Sequence, residues 1–299
     1  MTRFFVIFNP AARGEKSQRL RQILESKASA NVTLAPTQRA GEAESLAARA
    51  VTERYEAIVA AGGDGTINEV INGVGTSGVA LGILPLGTVN VFARELGIPL
   101  KLDAAWAVVQ RGVTRAVDLA HAQSNGGGRF FAQLAGVGFD ARAVRAASWE
   151  LKKKIGPLSY VWAGVKALHE PHALVDVSVN GTGATARGVA VLIGNGRFYG
   201  GRLRLFPQAR LDDGLLDVCV FEHAGYLDLL RYGQGILRAE HTRLRDVRYF
   251  QASEFVCSAT DAPFELDGED AGNAPVRFTV RPRALRVIVP NTDGGRNHA

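Results

Sequence analysis

Only two of the 299 residues are cysteine, Cys219 and Cys257, and they stand far apart in the chain. Cys219 alternates with Val218 and Val220, the pattern of a small apolar residue in a strand. The sequence therefore predicts buried free thiols in a reducing compartment rather than a disulfide. Lysine is also scarce: it supplies seven of the 35 basic residues, and arginine the other 28. Set against 29 acidic residues, the excess is +6. A surplus this small permits attraction to anionic lipid, phosphate or nucleic acid and selects none of them. Long apolar runs are missing as well. Phe4–Phe8 is shorter than a secretory h-region of about 7–15 residues, and no stretch approaches the ~20 that span a bilayer. The expectation is a soluble chain, at most peripheral on a membrane. The six histidines show no H-x-x-x-H spacing, so zinc has no signal. No Gly-Lys-Ser/Thr forms a Walker A loop, and no serine sits in G-x-S-x-G.

What the chain does have is an ordinary globular composition, 46% hydrophobic and 21% charged, enough for a sizeable core. Its length suggests two domains. Up to about residue 120, short apolar runs alternate with amphipathic stretches. Strands are expected at Phe4–Phe8, Val32–Ala35, Ala57–Ala61 and Ala80–Leu84, and helices at Lys16–Leu24, Glu42–Ala50, Thr66–Val74 and Asn90–Leu96. Ile67, Val70, Ile71 and Val74 fall at i, i+3, i+4, i+7. Alternation of this kind predicts an α/β domain, a parallel sheet with flanking helices. The Gly-rich stretch Ser124–Gly128 reads as a hairpin tip or a boundary. Beyond it come mostly alternating segments: Phe130–Val137, Val175–Val179, Val189–Ile193, Leu216–Phe221, Glu254–Cys257, Val276–Val280 and Leu285–Val289. Helical patterns interrupt them near Tyr160–Leu168 and Tyr226–Leu237. The division expected is an α/β domain over 1–122, with a tail at about 290–299 able to return to it, and a β-rich sandwich-like domain over 123–289.

The strongest local signal is Gly62-Gly63-Asp64-Gly65-Thr66-Ile67-Asn68-Glu69, where a buried-looking strand ends and a helix begins at once. Glycines let backbone N–H groups approach an anion, and a helix N-terminus adds unpaired donors and partial positive charge. A tight turn needing positive φ would explain the glycines equally well. Asn68 stands where a dinucleotide fingerprint needs its third glycine. Asp64 would repel phosphate unless a metal ion lies between them or the carboxylate serves the chemistry; the plainer role is capping the helix that follows. A second loop, Leu84-Pro85-Leu86-Gly87-Thr88-Val89-Asn90, again sets a glycine and a hydroxyl at a strand's C-terminal end, where open α/β sheets bind ligands.

With Asn9-Pro10 after the first strand, these two loops resemble the diacylglycerol kinase catalytic-domain superfamily, which includes sphingosine and ceramide kinases and soluble bacterial lipid kinases. Gly-Gly-Asp-Gly alone is shared with NAD kinases and phosphofructokinases; Leu-Pro-Leu-Gly-Thr is more specific. The likeness continues through Gly194-Asn195-Gly196, Leu211-Asp212-Asp213-Gly214-Leu215-Leu216-Asp217 and Leu266-Asp267-Gly268-Glu269. It implies an NAD kinase/phosphofructokinase-like first domain, a cleft between domains, and ATP-dependent phosphorylation of a lipid hydroxyl, diacylglycerol first. The residues implied to cradle ATP are Gly62, Gly63, Asp64, Gly65, Thr66, Ile67, Asn68 and Glu69, with Thr37, Gly87, Thr88 and Asn90, while Asn9 lines the same cleft. Asp64 and Asp118 match acids that help hold Mg²⁺ through water. Asp213, with the carbonyls of Arg210 and Leu215, matches a structural Mg²⁺ site. Asp267 and Glu269 match the segment carrying the general base, with Glu269 preferred and Asp267 as its partner or a substrate contact. Without the resemblance, the three acids of Asp267–Asp270 read as a solvated turn, and Asp212–Asp217 as a hairpin.

One departure stands out. The family places Asp after the asparagine of the second loop, and this chain has Val91. That departure makes a catalytically impaired nucleotide- or lipid-sensing regulator one alternative, and the shared Gly-Gly-Asp-Gly motif makes an NAD kinase-like enzyme the other. The resemblance implies a cytoplasmic protein, peripheral at the inner membrane surface, with a lipid partner, no nucleic acid, and room for a homodimer. Trp149-Glu150-Leu151-Lys152-Lys153-Lys154 with Tyr160 and Trp162 suits a headgroup layer, or is an ordinary solvated helix end. Arg197, Arg202, Arg204 and Arg210 form a second basic run, which reads as a phosphate contact or a charged strand edge.

Overall fold

The computed structural model describes residues 3–9, 20, 22, 31–111, 113–146, 173–179 and 185–291. Of the helix expected at Lys16–Leu24, only Leu20 and Gln22 are among them. Pro10, the Trp149–Lys154 cluster with Tyr160 and Trp162, the helix near Tyr160–Leu168 and residues 292–299 lie outside. The chain divides into two compact units, Met1–Val117 with Arg283–Ala299, and Asp118–Pro282. The divisions fall at 117/118 and 282/283, where the sequence pattern had suggested 122/123 and about 290.

In the first unit, strands β1 (Phe4–Phe8), β2 (Val32–Pro36), β3 (Ala57–Gly62) and β4 (Ala80–Pro85) form a parallel sheet in the order β2-β1-β3-β4. Every residue of β3 and β4 is buried. That is why they read as unbroken apolar runs: a parallel strand is covered on both faces. The covering helices are α1 (Glu42–Thr52), α2 (Asp64–Val74), α3 (Val91–Glu95) and α4 (Leu102–Arg111). Ile67, Val70, Ile71 and Val74 of α2 are all buried, as their spacing requires. The sequence reading omits α4, although Leu102, Ala105, Trp106 and Val109 carry the same spacing and are buried.

The chain leaves β1 toward β2 on one side, then returns to place β3 on the other. The switch point of the sheet therefore lies at the C-terminal ends of β1 and β3, where such sheets bind ligands. Asn9 and Gly62-Gly63 stand there.

The second unit is a sandwich. One of its sheets holds β5 (Thr114–Ser124), β6 (Gly127–Phe131), β8 (Val175–Val179), β9 (Thr185–Gly188), β15 (Glu254–Ser258) and the first part of β18 (Val276–Ile288). Ser124 pairs with Gly127, so the Gly-rich stretch is a hairpin tip. The other sheet runs β14-β13-β10-β7-β16-β17: β14 (Val247–Ala252), β13 (Leu216–Phe221), β10 (Ala190–Gly194), β7 (Leu134–Gly138), β16 (Pro263–Leu266) and β17 (Glu269–Asn273). Phe131, Phe255, Phe264 and Phe278 belong to the core they share. The second sheet's other face carries Leu192, Cys219 and Phe221, which pack with Leu205, Phe206 and with Tyr232 of helix α6 (Tyr226–Leu237). Cys219 and Cys257 are buried free thiols, and burial pushes both thiol pKa values up.

Three readings of the sequence need correction. Phe130–Val137 is two strands, β6 and β7, in different sheets; the chain breaks at Ala132–Gln133, whose amides a carboxylate claims. Val276–Val280 and Leu285–Val289 are one strand, β18, despite Pro282. Its last residues pair parallel with β4, Arg286 opposite Ala80 and Val287 opposite Leu81, and Val289 donates its N–H to the Val113 carbonyl. What returns to the first unit is thus a strand and not only a tail. Finally, helix α5 (Phe139–Ala146) follows β7 directly where none was expected.

Candidate active site

At the tip of β3 the two glycine loops touch. The Leu86 N–H donates to the Gly62 carbonyl at 2.8 Å. A Cβ on Gly87 would lie 2.7 Å from the Gly63 Cα and 2.8 Å from Asn90 Oδ1, so only glycine fits at 87. Asp64 completes the junction: its Oδ2 accepts the Asn90 N–H at 2.9 Å and its Oδ1 the Val91 N–H at 2.8 Å. Asp64 is thus the first residue of α2 and the cap of a different helix, α3, rather than the cap of the helix that follows it. Asn90 is buried at positive φ, and its Nδ2 donates to the Gly87 carbonyl at 2.6 Å.

Glu69, the second acid of the motif, behaves alike. Its two oxygens accept the N–H groups of Gly41 and Ala43 at 2.9 and 3.0 Å, capping α1. So α1 is capped by Glu69 and α3 by Asp64. Between them α2 begins at Gly63, which has no side chain to cap it. Its leading amides and partial positive charge point to where phosphate would lie, at the sheet's switch point. Thr37 is buried beside the same edge, its N–H donating to the Phe8 carbonyl at 2.9 Å; Thr88 and Asn9 are exposed. Ile67 and Asn68 are buried, so their side chains serve α2's packing. The Thr66 side chain lies directly over Gly62.

In the second unit Asp118 is buried. It accepts the Gly214 N–H on Oδ2 at 2.7 Å and donates its own N–H to the Leu211 carbonyl. Asn195 bridges the carbonyls of Asp118 and Ala132. Asp118 therefore belongs to the same network as the Asp212-Asp213-Gly214 turn. Burial raises the Asp213 carboxyl pKa, and the nearby Asp118 charge raises it further against the pull of a hydrogen bond from Leu215 and of Arg210. Asp217, bonded to Tyr249 and Gln251, is raised by burial first, with Asp213 adding to it. Carboxyls raised by burial and by one another, as Asp213 is beside Asp118, are the donor chemistry a hard divalent cation takes. Asp64, a half-buried carboxylate at the tip of β3, is chemically suited to a water-mediated one, because nucleotide-bound Mg²⁺ needs only one or two protein carboxylates. No cage of three acidic, His or Cys ligands exists among the described residues. Val91 is buried and supplies no ligand.

The Asp267-Gly268-Glu269 turn separates two roles. Asp267, at positive φ, accepts three backbone amides: Ala132 on Oδ2 at 2.8 Å, and Gln133 and Leu134 on Oδ1 at 3.0 Å each. These amides lie where β6 ends and β7 begins, so the carboxylate is what the strand break is built around. Glu269 is exposed on edge strand β17. Two further acids went unnoticed in the sequence. Glu265, wholly buried in β16, accepts the Gly268 N–H at 2.6 Å. Asp140 receives the Tyr199 hydroxyl at 2.6 Å. A Cβ on Gly136 would stand 2.5 Å from Asp140 Oδ2 and 3.1 Å from Glu265 Oε1, so both acids face that glycine. Burial raises the Asp140 pKa, with the Tyr199 hydrogen bond pulling the other way. The available signal was one acid inside the apolar stretch Pro263–Leu266.

A family model, the diacylglycerol kinase catalytic domain, matches residues 3–122, and the YegS C-terminal NAD kinase beta sandwich-like domain matches residues 133–289. A diacylglycerol kinase of Staphylococcus saprophyticus is 33% identical over 294 residues, covering 96% of this chain and 95% of that one. One of Staphylococcus aureus is 32% identical, covering 96% and 92%. A solved structure of a diacylglycerol kinase from Bacillus anthracis covers 96% of this chain and 97% of its own, with a TM-score of 0.77. At 24% identity it bears on the fold alone.

Proposed function

The chain belongs to the diacylglycerol kinase catalytic-domain family and is a lipid kinase, and from that premise we propose that it moves the γ-phosphoryl group of ATP to the free hydroxyl of diacylglycerol, with Mg²⁺. The observation that carries the nucleotide half is the uncapped start of α2, set between two helices whose ends Asp64 and Glu69 close. Amides at Gly63–Thr66 would hold the phosphates, and the Gly63–Gly87 contact fixes the second loop beside them. Mg²⁺, when bound, neutralises phosphate charge. We assign it, through water, to Asp64 and, on the resemblance alone, to Asp118; Asp213 would hold a second, structural ion.

The acceptor oxygen attacks the γ-phosphorus, the bond to the bridging oxygen breaks, ADP leaves, and the hydroxyl proton passes to a carboxylate. Glu269 suits that role. Asp267 directs its oxygens at three amides and holds the turn that presents Glu269. The buried free thiols support a cytoplasmic protein, and a lipid acceptor places its work at the inner membrane surface. Among the described residues no helix is long and apolar enough to cross a bilayer. Val91 favours a second reading, a slow or impaired catalyst that senses nucleotide or lipid.

The test is purified protein with γ-labelled ATP, Mg²⁺ and a total lipid extract, resolved by chromatography, with NAD as a parallel acceptor. Label in phosphatidic acid supports the proposal. Label in NAD, or thermal stabilisation by ATP with no labelled product, overturns it.

A further inference from the structure

Among the described residues, helix α6 is packed on one side only. Tyr232 and Gly235 are buried against the sheet, with Leu229 and Ile236 beside them. The opposite side carries Tyr226, Leu227, Leu230 and Leu237, exposed by 57, 82, 61 and 75%. Their spacing, four residues from Tyr226 to Leu230 and seven from there to Leu237, lines them along one strip of the helix. Scattered exposed leucines are normal, but four large apolar side chains on twelve residues form a contiguous strip of the kind that marks an interaction surface.

The strip is flanked by arginine. Arg231 on α6 and Arg238 at its C-cap lie seven apart, the first paired with Asp228 and Asp246. The hairpin strand β12 (Leu203–Arg204) packs beside α6, as does the turn His241–Arg243. Arg202, Arg204 and Arg243 are exposed, and Leu203 adds another exposed apolar side chain. Arg202 and Arg204, half of the basic run Arg197–Arg210, therefore come beside α6.

We propose that this face of α6, with the arginines around it, rests on an anionic bilayer. Apolar side chains that enter the acyl boundary, ringed by arginines that meet headgroup phosphates, are the pattern of interfacial binding. A second copy of the chain is the weaker occupant, since a two-fold interface sets the same patch against itself and would bring arginine onto arginine. The proposal rests on the lipid-acceptor reading, for an acceptor dissolved in a membrane must be met at its surface.

Co-sedimentation with extruded vesicles tests it, without nucleotide. The protein should bind phosphatidylcholine vesicles containing phosphatidylglycerol, bind pure phosphatidylcholine far less, and release as salt rises. The double variant L227Q/L230Q should keep the wild-type melting temperature, lose about tenfold or more in vesicle affinity, and still phosphorylate a short-chain diacylglycerol free in solution at the wild-type rate. Replacing Arg202 and Arg204 by glutamine should weaken binding to the anionic vesicles alone. Vesicle binding unchanged in L227Q/L230Q overturns the proposal, as does a wild-type dimer that this variant dissolves. If the wild type phosphorylates no lipid in either format, the kinase reading fails, and the vesicle result still decides this one.

Discussion

Removing the Asp64 carboxylate should loosen two loops and one helix end together. The carboxylate accepts two backbone amides, from Asn90 and Val91, at 2.9 and 2.8 Å. A hydrogen bond to a charged group contributes about 1.5–3 kcal/mol when its loss leaves the partner unsatisfied. Asp64 is half-buried, so water recovers part of that, and Asp64→Ala should cost about 2–4 kcal/mol in total. At roughly 3 °C per kcal/mol for a domain of this size, the melting temperature should fall by about 6–12 °C. Asp64→Asn keeps one acceptor and turns an NH₂ toward the other amide, so its loss should be intermediate. Glu69→Ala, which uncaps α1 through an equivalent pair of bonds, should match Asp64→Ala in stability while leaving the second loop in place. Scanning calorimetry on the four proteins makes the comparison. If Asp64→Ala melts within a degree of wild type while phosphoryl transfer disappears, Asp64 acts only on the metal or nucleotide, and the clamp account is wrong.

Three other outcomes follow from the same geometry. Asp267→Asn, which disturbs three amide contacts where β6 gives way to β7, should destabilise the second unit by about 1–3 kcal/mol; Glu269→Gln, at an exposed position, should leave the melting temperature unchanged and stop turnover. The opposite pattern would move the base to Asp267. Gly87→Ala should cost about 1–3 kcal/mol, because its Cβ meets the Gly63 backbone, and should weaken ATP binding; wild-type stability would mean that the loops are free to separate. Asp140 holds its proton more tightly folded than unfolded because burial raises its pKa. Its contribution to stability is therefore full below the ordinary carboxylate pKa and declines as pH rises through the folded value. Asp140→Asn should flatten that decline in denaturation curves at pH 5 and pH 8, and an unaltered slope would count against it.

The parallel sheet was legible because β3 and β4 are covered on both faces and read as apolar runs ending at glycine. The start of α2 was legible from Ile67, Val70, Ile71 and Val74. What a linear pattern could not carry was the use of a side chain by distant backbone. The amides that Asp64 caps lie 26 and 27 residues ahead. Those that Asp267 holds lie more than 130 residues back, and that bond set is the reason one apparent strand is two. In β18 the burial alternation lapses over Arg281–Arg283, with Arg283 at positive φ, and resumes in the opposite phase, so the pattern and local rules for proline divided what the fold keeps whole. Helix α4 is carried by the spacing of Leu102, Ala105, Trp106 and Val109 alone, with no glycine loop to announce it. Glu265 and Asp140 were hidden differently: each acid looks like a surface residue until Gly136, which leaves both of them room, is seen between them.

Amide hydrogen exchange with and without ATP measures the claim on which the rest depends, that the open end of α2 receives the phosphates. Exchange at Gly65 and Thr66 should slow when the nucleotide is added, while Gly41, Ala43, Asn90 and Val91, whose amides Glu69 and Asp64 already hold, should change little. Protection that appears elsewhere and leaves Gly65 and Thr66 exchanging as before would contradict it.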